Sequence, residues 1–268
     1  MSKIRKILEA LKEKKKVVVM FSGGVDSTLL AKLTHEALGE NSVALTIDSP
    51  VIPRKEIEKA KRLAGLIGIR HEFIELNELK SRHLIENPPD RCYLCRKLRD
   101  SVVKNWAKEH GFEVIADGLN FSDLQDYRPG VKASTEDGIW HPFIEFEVTK
   151  EEIRDFSRKL SLPTWNKPAM ACLCSRFPYG FGLDTEKVRM VEAAENFLRD
   201  LGFEEVRVRF FPYRLAVIEV KKENMKVFME KREKIVSNLR KIGFSFVTLD
   251  LEGLTSGKLN RTIEDVSK

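Results

Sequence analysis

All four cysteines of this 268-residue chain stand in two tight pairs, Cys92 and Cys95 in "RCYLCRK" and Cys172 and Cys174 in "ACLCSRF". Each pair lies beside arginines: Arg91 and Arg96 at the first, Arg176 at the second. Thiolates bind soft metals and exchange disulfides, and a C-x-x-C pair closes readily around one metal centre. A structural zinc site uses the same residue types, but with C-x₂₋₄-C in both halves and a shorter interval. Here the second pair is C-x-C and 76 residues intervene. Redox thiols and plain buried packing are the remaining readings, although cysteines flanked by arginines fit packing poorly.

A second chemical signal is "FSGGVDST", residues 21–28. Its two glycines allow a tight turn and close approach of a ligand, and backbone N–H groups there point at whatever sits in the turn. The following helix N-terminus favours phosphate. Ser22, Ser27 and Thr28 supply hydroxyl groups, and Asp26 can meet Mg²⁺ directly or through water. The segment is neither a Walker A loop nor the dinucleotide fingerprint. Taken alone it also reads as an ordinary capped strand-to-helix turn.

The elements that must position these groups follow from periodicity. "VVVMF" (17–21), "SVALTI", "HEFIEL" and "EVIAD" (113–117) read as strands. Between them run amphipathic helices at 26–38, 54–68 and about 92–110. Strand and helix alternate, which predicts an α/β fold: a doubly wound parallel sheet whose site lies at the carboxyl ends of the strands. Asp48 in "TIDSP", and Asp117 with Gly118, occupy such ends. The rhythm changes near 176–184, so residues 1–180 are expected to form the nucleotide-binding domain and 181–268 a smaller α+β domain. In the latter, helices at about 185–201 and 222–241 accompany strands "EVRVRF", "LAVIEV" and "SFVTLDL". Alternation along "VRVRF" puts Arg207 and Arg209 on one strand face, a small cationic edge or a solvent-facing side. Glu195 and Glu219 are weaker candidates that could pair with those arginines, and the five histidines form no ligand spacing.

The net charge of +6 is compatible with nucleic acid and equally with nucleotides, while much of it sits on lysine-rich helix faces. The longest apolar run is too short to span a bilayer, and the amino-terminal segment lacks the apolar core of a secretory signal. A cytoplasmic protein is the expectation, without a membrane partner.

Ser-Gly-Gly-x-Asp-Ser after a first strand resembles the pyrophosphate loop of the adenylating ATP pyrophosphatases, which share an adenine nucleotide α-hydrolase-like fold. "ADGLNFSDLQDYRPG" (116–130), "PTWNKPAMACLCSRFPYG" (163–180), "VRVRF" (206–210) and "GFSFVTLDLEGLTSGKLN" (243–260) narrow the match. Together they resemble the LarE family, ATP-dependent sulfur transferases of nickel-pincer nucleotide biosynthesis, nearly end to end. The resemblance implies that a carboxylate of a pyridinium dicarboxylate mononucleotide is adenylated by ATP, with Mg²⁺, and that sulfur then displaces AMP. It implies that Ser22, Gly23, Gly24, Asp26 and Ser27 cradle the ATP phosphates and Mg²⁺, with Asp48 and Gly118 at the nucleotide. Arg128, Ser175, Arg176, Arg207 and Arg209 would bind the anionic substrate or leaving group.

Some members of that family give up the sulfur of one cysteine of their own. An ungapped alignment on "SRFPYG" puts that position at Ala171 here, one residue before Cys172. Other members carry three cysteines resembling Cys92, Cys95 and Cys172 or Cys174, and these hold a [4Fe–4S] cluster with one open iron. The resemblance thus implies a cluster on Cys92, Cys95 and Cys172, with Cys174 a spare ligand or sulfur carrier and a sulfide donor as partner. It also implies a homo-oligomer, a hexamer in known cases. The sacrificial cysteine, a tRNA thiolase of the same superfamily and a non-enzymatic nucleotide-binding sensor are the competing readings.

Overall fold

The computed structural model describes residues 3–125, 129–255 and 257–261. The chain divides into two compact units, one of residues 1–76 and 90–170, the other of 77–89 and 171–268. In chain order the helices and strands begin with α1 (Lys3–Lys14), β1 (Val17–Met20), α2 (Val25–Leu38), β2 (Ser42–Asp48), α3 (Arg54–Ile67) and β3 (Arg70–Glu75). The short α4 (Arg82–Ile85) belongs to the second unit. The first unit resumes with α5 (Arg91–Glu109), β4 (Val114–Ala116), α6 (Pro129–Glu136), α7 (Pro142–Glu145) and α8 (Lys150–Lys159).

The first unit is built on a parallel sheet in the order β3-β2-β1-β4. Side chains alternate across a strand, so Val17 and Val19 face one layer and Val18 the other. Val17 and Val19 pack with Leu29 and Leu33 of α2 and Leu63 of α3, whereas Val18 packs with Val43 and with Val103 of α5. Both faces of the sheet's middle are thereby covered by helices, and β1 and β2 are buried along nearly their whole length for that reason. This is the doubly wound α/β architecture expected from the alternation of elements.

The second unit continues with α9 (Thr185–Asp200), β5 (Val206–Phe211), β6 (Leu215–Val220), α10 (Met225–Glu230), α11 (Arg232–Ile242) and β7 (Phe246–Leu249). Its sheet runs β5-β6-β7, with β5 and β6 antiparallel and β6 and β7 parallel. Val191, Ala194 and Leu198 of α9 and Ile235 and Leu239 of α11 pack against Val208 and Ile218. The helix expected over 222–241 is two, because the chain turns at Lys231 between α10 and α11.

The units meet in sequence at 170/171, ten residues before the expected boundary, and the second unit also takes 77–89. Packing explains both points. Leu173 and Phe177 are buried in the second unit's core. The Asn87 amide donates to the carbonyls of Phe177 and Pro178, while Gly180 N–H returns a bond to Asn87 and Leu183 N–H bonds Ile85. No helix among the described residues is long and apolar enough to cross a membrane.

Candidate functional site

The turn between β1 and α2 begins with Ser22, and Gly23 adopts a left-handed φ of 65°. A Cβ at Gly23 would lie 3.1 Å from the Ala60 backbone of α3, so the loop is seated directly on that helix. Gly24 caps α2 without a side-chain bond, which leaves the first N–H groups of α2 available to an anion. The hydroxyls of Ser22 and Ser27 lie 3.1 Å apart, and Ser27 Oγ donates to the Gly24 carbonyl. Gly118 closes the loop from the side of β4. A Cβ there would fall 2.8 Å from the Ser27 nitrogen and 2.9 Å from the Asp26 carbonyl carbon.

A cavity of about 290 Å³ opens at this point, at the carboxyl ends of β1, β2 and β4. Its walls include Ser22, Asp26, Ser27, Thr46, Gly118 and Asp123. That is where a doubly wound sheet presents its ligand site, at a size near the lower end of small-molecule pockets. Apolar Met20, Leu45 and Ile47 offer a surface for a ring, while the loop offers N–H and hydroxyl donors for phosphates.

Polar groups behind the cavity are closely paired. Asp117 accepts from Arg96 Nη2 at 2.5 Å on one oxygen and meets His141 Nδ1 at 2.7 Å on the other. Burial alone would raise Asp117, but the His141 hydrogen bond and the Arg96 charge hold it below the usual carboxylate range. Arg96 also donates from Nε to both oxygens of buried Asp100. Two lysines grip the phosphate loop. Lys150, at the start of α8, places Nζ 2.5 Å from Asp26 Oδ2, and Lys167 donates to the Gly23 carbonyl and pairs with Glu56. Burial raises Glu56, yet Lys167 and Lys59 bring it below its ordinary value. Sequence reasoning singled out Asp117 as a strand end but not Lys150, Lys167, Asn120 or His141. The Thr149-x-x-Glu152 capping box was a readable sign of a helix start beside Lys150.

Asp48 stands away from the cavity walls, with its carboxylate 2.5 Å from Arg54 Nη2. Arg128 lies outside the described residues. Cys92 and Cys95 sit in the first two turns of α5, Cys92 exposed and Cys95 half-buried. Arg96, which lines the cavity, directly follows Cys95 on the same helix.

In the second unit Arg176 is buried and ion-paired with Glu195 through Nε and Nη2. Its Nη1 donates to the carbonyls of Ala171 and Cys172 and to Ser175 Oγ. The guanidinium therefore organises the turn that carries Cys172 and Cys174. Arg209 makes a two-point pair with Glu219 and donates to the Ser175 carbonyl. Arg207 differs: it is half-buried and donates to the Thr255 carbonyl, with no carboxylate contact among the described residues. Burial and the charges of Arg209 and Arg176 lower it from its ordinary value. The two arginines thus do not share one exposed edge. Glu219 neutralises Arg209 inside the fold, while Arg207 meets a backbone carbonyl. None of the four cysteines is in a disulfide, and among the described residues no three His, Cys, Asp or Glu side chains gather as metal ligands.

Residues 1–91 match the NAD synthase family model. Over 264 residues, 98% of each chain, the sequence is 41% identical to an uncharacterized protein of Synechocystis sp.. It is 37% identical over 258 residues to the pyridinium-3,5-bisthiocarboxylic acid mononucleotide synthase of Lactiplantibacillus plantarum, covering 96% of this chain and 93% of that one. Similarity to the tRNA-specific 2-thiouridylase of Desulforamulus reducens is lower, 24% over 60% of this chain and 54% of the other.

Proposed function

Because this chain belongs to the LarE family, that of the pyridinium-3,5-bisthiocarboxylic acid mononucleotide synthases, we propose that it transfers sulfur to a carboxylate of a pyridinium dicarboxylate mononucleotide at the expense of ATP. The chain is an ATP-using sulfurtransferase. The observation that carries the proposal is the Ser22–Ser27 loop and its cavity at the carboxyl ends of the sheet. In this reading the loop amides and the hydroxyls of Ser22 and Ser27 hold the pyrophosphate portion of ATP, aided by the start of α2. A carboxylate oxygen of the substrate attacks the α-phosphorus, the bond to the β-phosphate oxygen breaks, and pyrophosphate leaves. A sulfur nucleophile then attacks the acyl carbon and AMP departs.

Mg²⁺ is usually held by one or two carboxylates together with substrate phosphates. Asp26, with Asp123 beside it on the cavity wall, fits that donor set, so a three-ligand protein cage is not required. The metal would offset the charge that develops on the phosphates. Arg207 is the half-buried guanidinium we assign to the substrate phosphate, since it has no carboxylate partner of its own among the described residues. Arg176 and Arg209 act through the turn at Ser175 rather than on the substrate.

For the sulfur we infer a [4Fe–4S] cluster, for which Cys92 and Cys95 supply two thiolates and Cys172 is the third donor expected from the sequence. When bound, such a cluster supplies an iron that can carry an extra sulfide. Donor chemistry supports this, as does Ala171 standing where a sacrificial thiol would. A homo-oligomer assembled through the second unit completes the reading.

The test is pyrophosphate release by purified protein with ATP, Mg²⁺ and one acceptor at a time. Release that depends on the pyridinium mononucleotide supports the proposal. Release that depends on tRNA replaces it with the thiolase reading, and no release with either overturns it.

A further inference from the structure

Asp26 is the carboxylate best placed for the metal, yet its Oδ2 is already engaged by an ammonium. Lys150 Nζ stands 2.5 Å from that oxygen, while Asn120 Nδ2 approaches Oδ1 at 3.4 Å. We propose that Lys150 holds the place of the divalent cation at Asp26 and passes to a phosphate of ATP when the cation arrives. This deepens the functional reading above and rests on it only for the second half of the exchange.

The backbone at Lys150 is fixed. Thr149 caps α8, with Glu152 N–H donating to Thr149 Oγ1 and Thr149 N–H donating back to Glu152 Oε2. Lys150 N–H donates to Ser122 Oγ at 3.1 Å, and Lys3 ties Glu152 from the other side. The side chain, by contrast, is one-third exposed, and its only partner among the described residues is Asp26. Lys167 provides the contrast on the other flank of the loop. Its side chain is 15% exposed and its ammonium is shared between Gly23 O and Glu56 Oε2, so it is committed to holding the fold.

A divalent ion competes with the ammonium for Asp26 Oδ2. A divalent ion there repels an ammonium a few ångströms away and has the larger charge, so the lysine must yield. Four methylene groups on a fixed backbone keep the released Nζ within reach of the loop that carries Asp26. The anion that enters with the metal is the phosphate chain of ATP, and a compact ammonium suits it as a point charge. No bond is made or broken and Nζ stays protonated throughout. Lys150 thereby neutralises Asp26 before a metal binds.

The experiment measures Mn²⁺ binding to the ATP-free protein by the electron paramagnetic resonance of free Mn²⁺. Lys150→Gln should bind Mn²⁺ about tenfold more tightly than wild type, the change that accompanies loss of one charge-assisted contact. Lys150→Arg should stay near wild type, and Asp26→Asn should lose the site. With Mg²⁺ saturating, Lys150→Gln should raise the KM for ATP about tenfold, opposite in direction to its effect on the metal. Unchanged or weaker Mn²⁺ binding in Lys150→Gln overturns the proposal, as does wild-type binding in Asp26→Asn. Tighter Mn²⁺ with an unchanged ATP KM overturns the exchange onto phosphate. If Lys150→Gln does not fold, Lys150→Met takes its place with the same expectations. The Mn²⁺ arm contains no ATP, so a wild-type protein that releases no pyrophosphate fails the functional reading without touching this comparison.

Discussion

Arg176 and Glu195 face each other in a two-point ion pair inside the second unit, Nε to Oε1 at 2.8 Å and Nη2 to Oε2 at 3.1 Å. The carboxylate is fully buried and also accepts from Arg199 and from the Val208 N–H. Burial alone would raise Glu195, but the two guanidiniums hold it below its ordinary value. The pair therefore stabilises the fold in full at neutral pH and loses its effect in acid, as the pH falls through the lowered value. Glu195→Gln leaves Arg176 charged, buried and half-paired. The expected cost is about 3 kcal/mol, read as a lower urea midpoint for the second unit, and an unchanged midpoint would contradict it.

Gly118 has no room for a side chain. A methyl group at that position would press on the Ser27 nitrogen and the Asp26 backbone, and thus on the phosphate loop itself. A displacement of about 1 Å in a binding loop costs roughly a hundredfold in rate. Gly118→Ala should accordingly lower kcat/KM for ATP-dependent pyrophosphate release by about that factor while circular dichroism stays that of wild type. Near-normal turnover would show that the loop yields freely.

His71 makes stability depend on pH. Thr46 Oγ1 donates to the Phe21 carbonyl at 2.7 Å, so at 2.8 Å it must accept from His71 Nε2–H, leaving Nδ1 buried without a partner. Burial pushes His71 from about 6.5 down to about 4. Between those values the unfolded chain binds a proton that the folded one refuses, so stability falls as the pH drops from 6.5 and levels off near 4. With allowance for solvent screening the loss is about 2 kcal/mol. His71→Gln keeps a donor to Thr46 and does not titrate, so its urea midpoint should be flatter across that range. Equal slopes in the two proteins would refute the assignment.

The thiols separate two sources of sulfur. If a cluster carries it, protein purified without oxygen is brown, Cys92→Ser or Cys95→Ser bleaches it, and Cys174→Ser does less. Intact mass is then unchanged after turnover and added sulfide sustains it. A mass lower by one H₂S, in protein that never held iron, would instead make a protein cysteine the donor.

The strands and the phosphate loop were legible because burial on both sheet faces leaves unbroken apolar runs such as Val17–Met20, and because a tight strand-to-helix turn needs glycine. Ser22, Asp26 and Ser27 came with that turn. Lys150 and Lys167 were not legible as site residues, and Arg96 was legible only as a neighbour of the cysteines. Each reaches the loop or the cavity from a helix or turn far along the chain, and one lysine among many on charged helix faces carries no local sign of its partner. The arginines of "VRVRF" misled by their spacing: alternation fixes which way a strand residue points, but not whether a buried glutamate waits there for Arg209. The helix break at Lys231 was likewise hidden, since amphipathic spacing continues across it.

The chain passes between its units three times, at 76/77, 89/90 and 170/171. Residues 77–89 are synthesised well before Phe177, Pro178 and Leu183, whose backbone they bind, so this stretch must wait for the rest of its unit to emerge. A recombination event that moved residues 171–268 alone would leave Asn87 behind and strand two carbonyls without their donor. A transfer that keeps these bonds must carry residues 77–89 along with 171–268, and with them the stretch 90–170 that lies between in the chain.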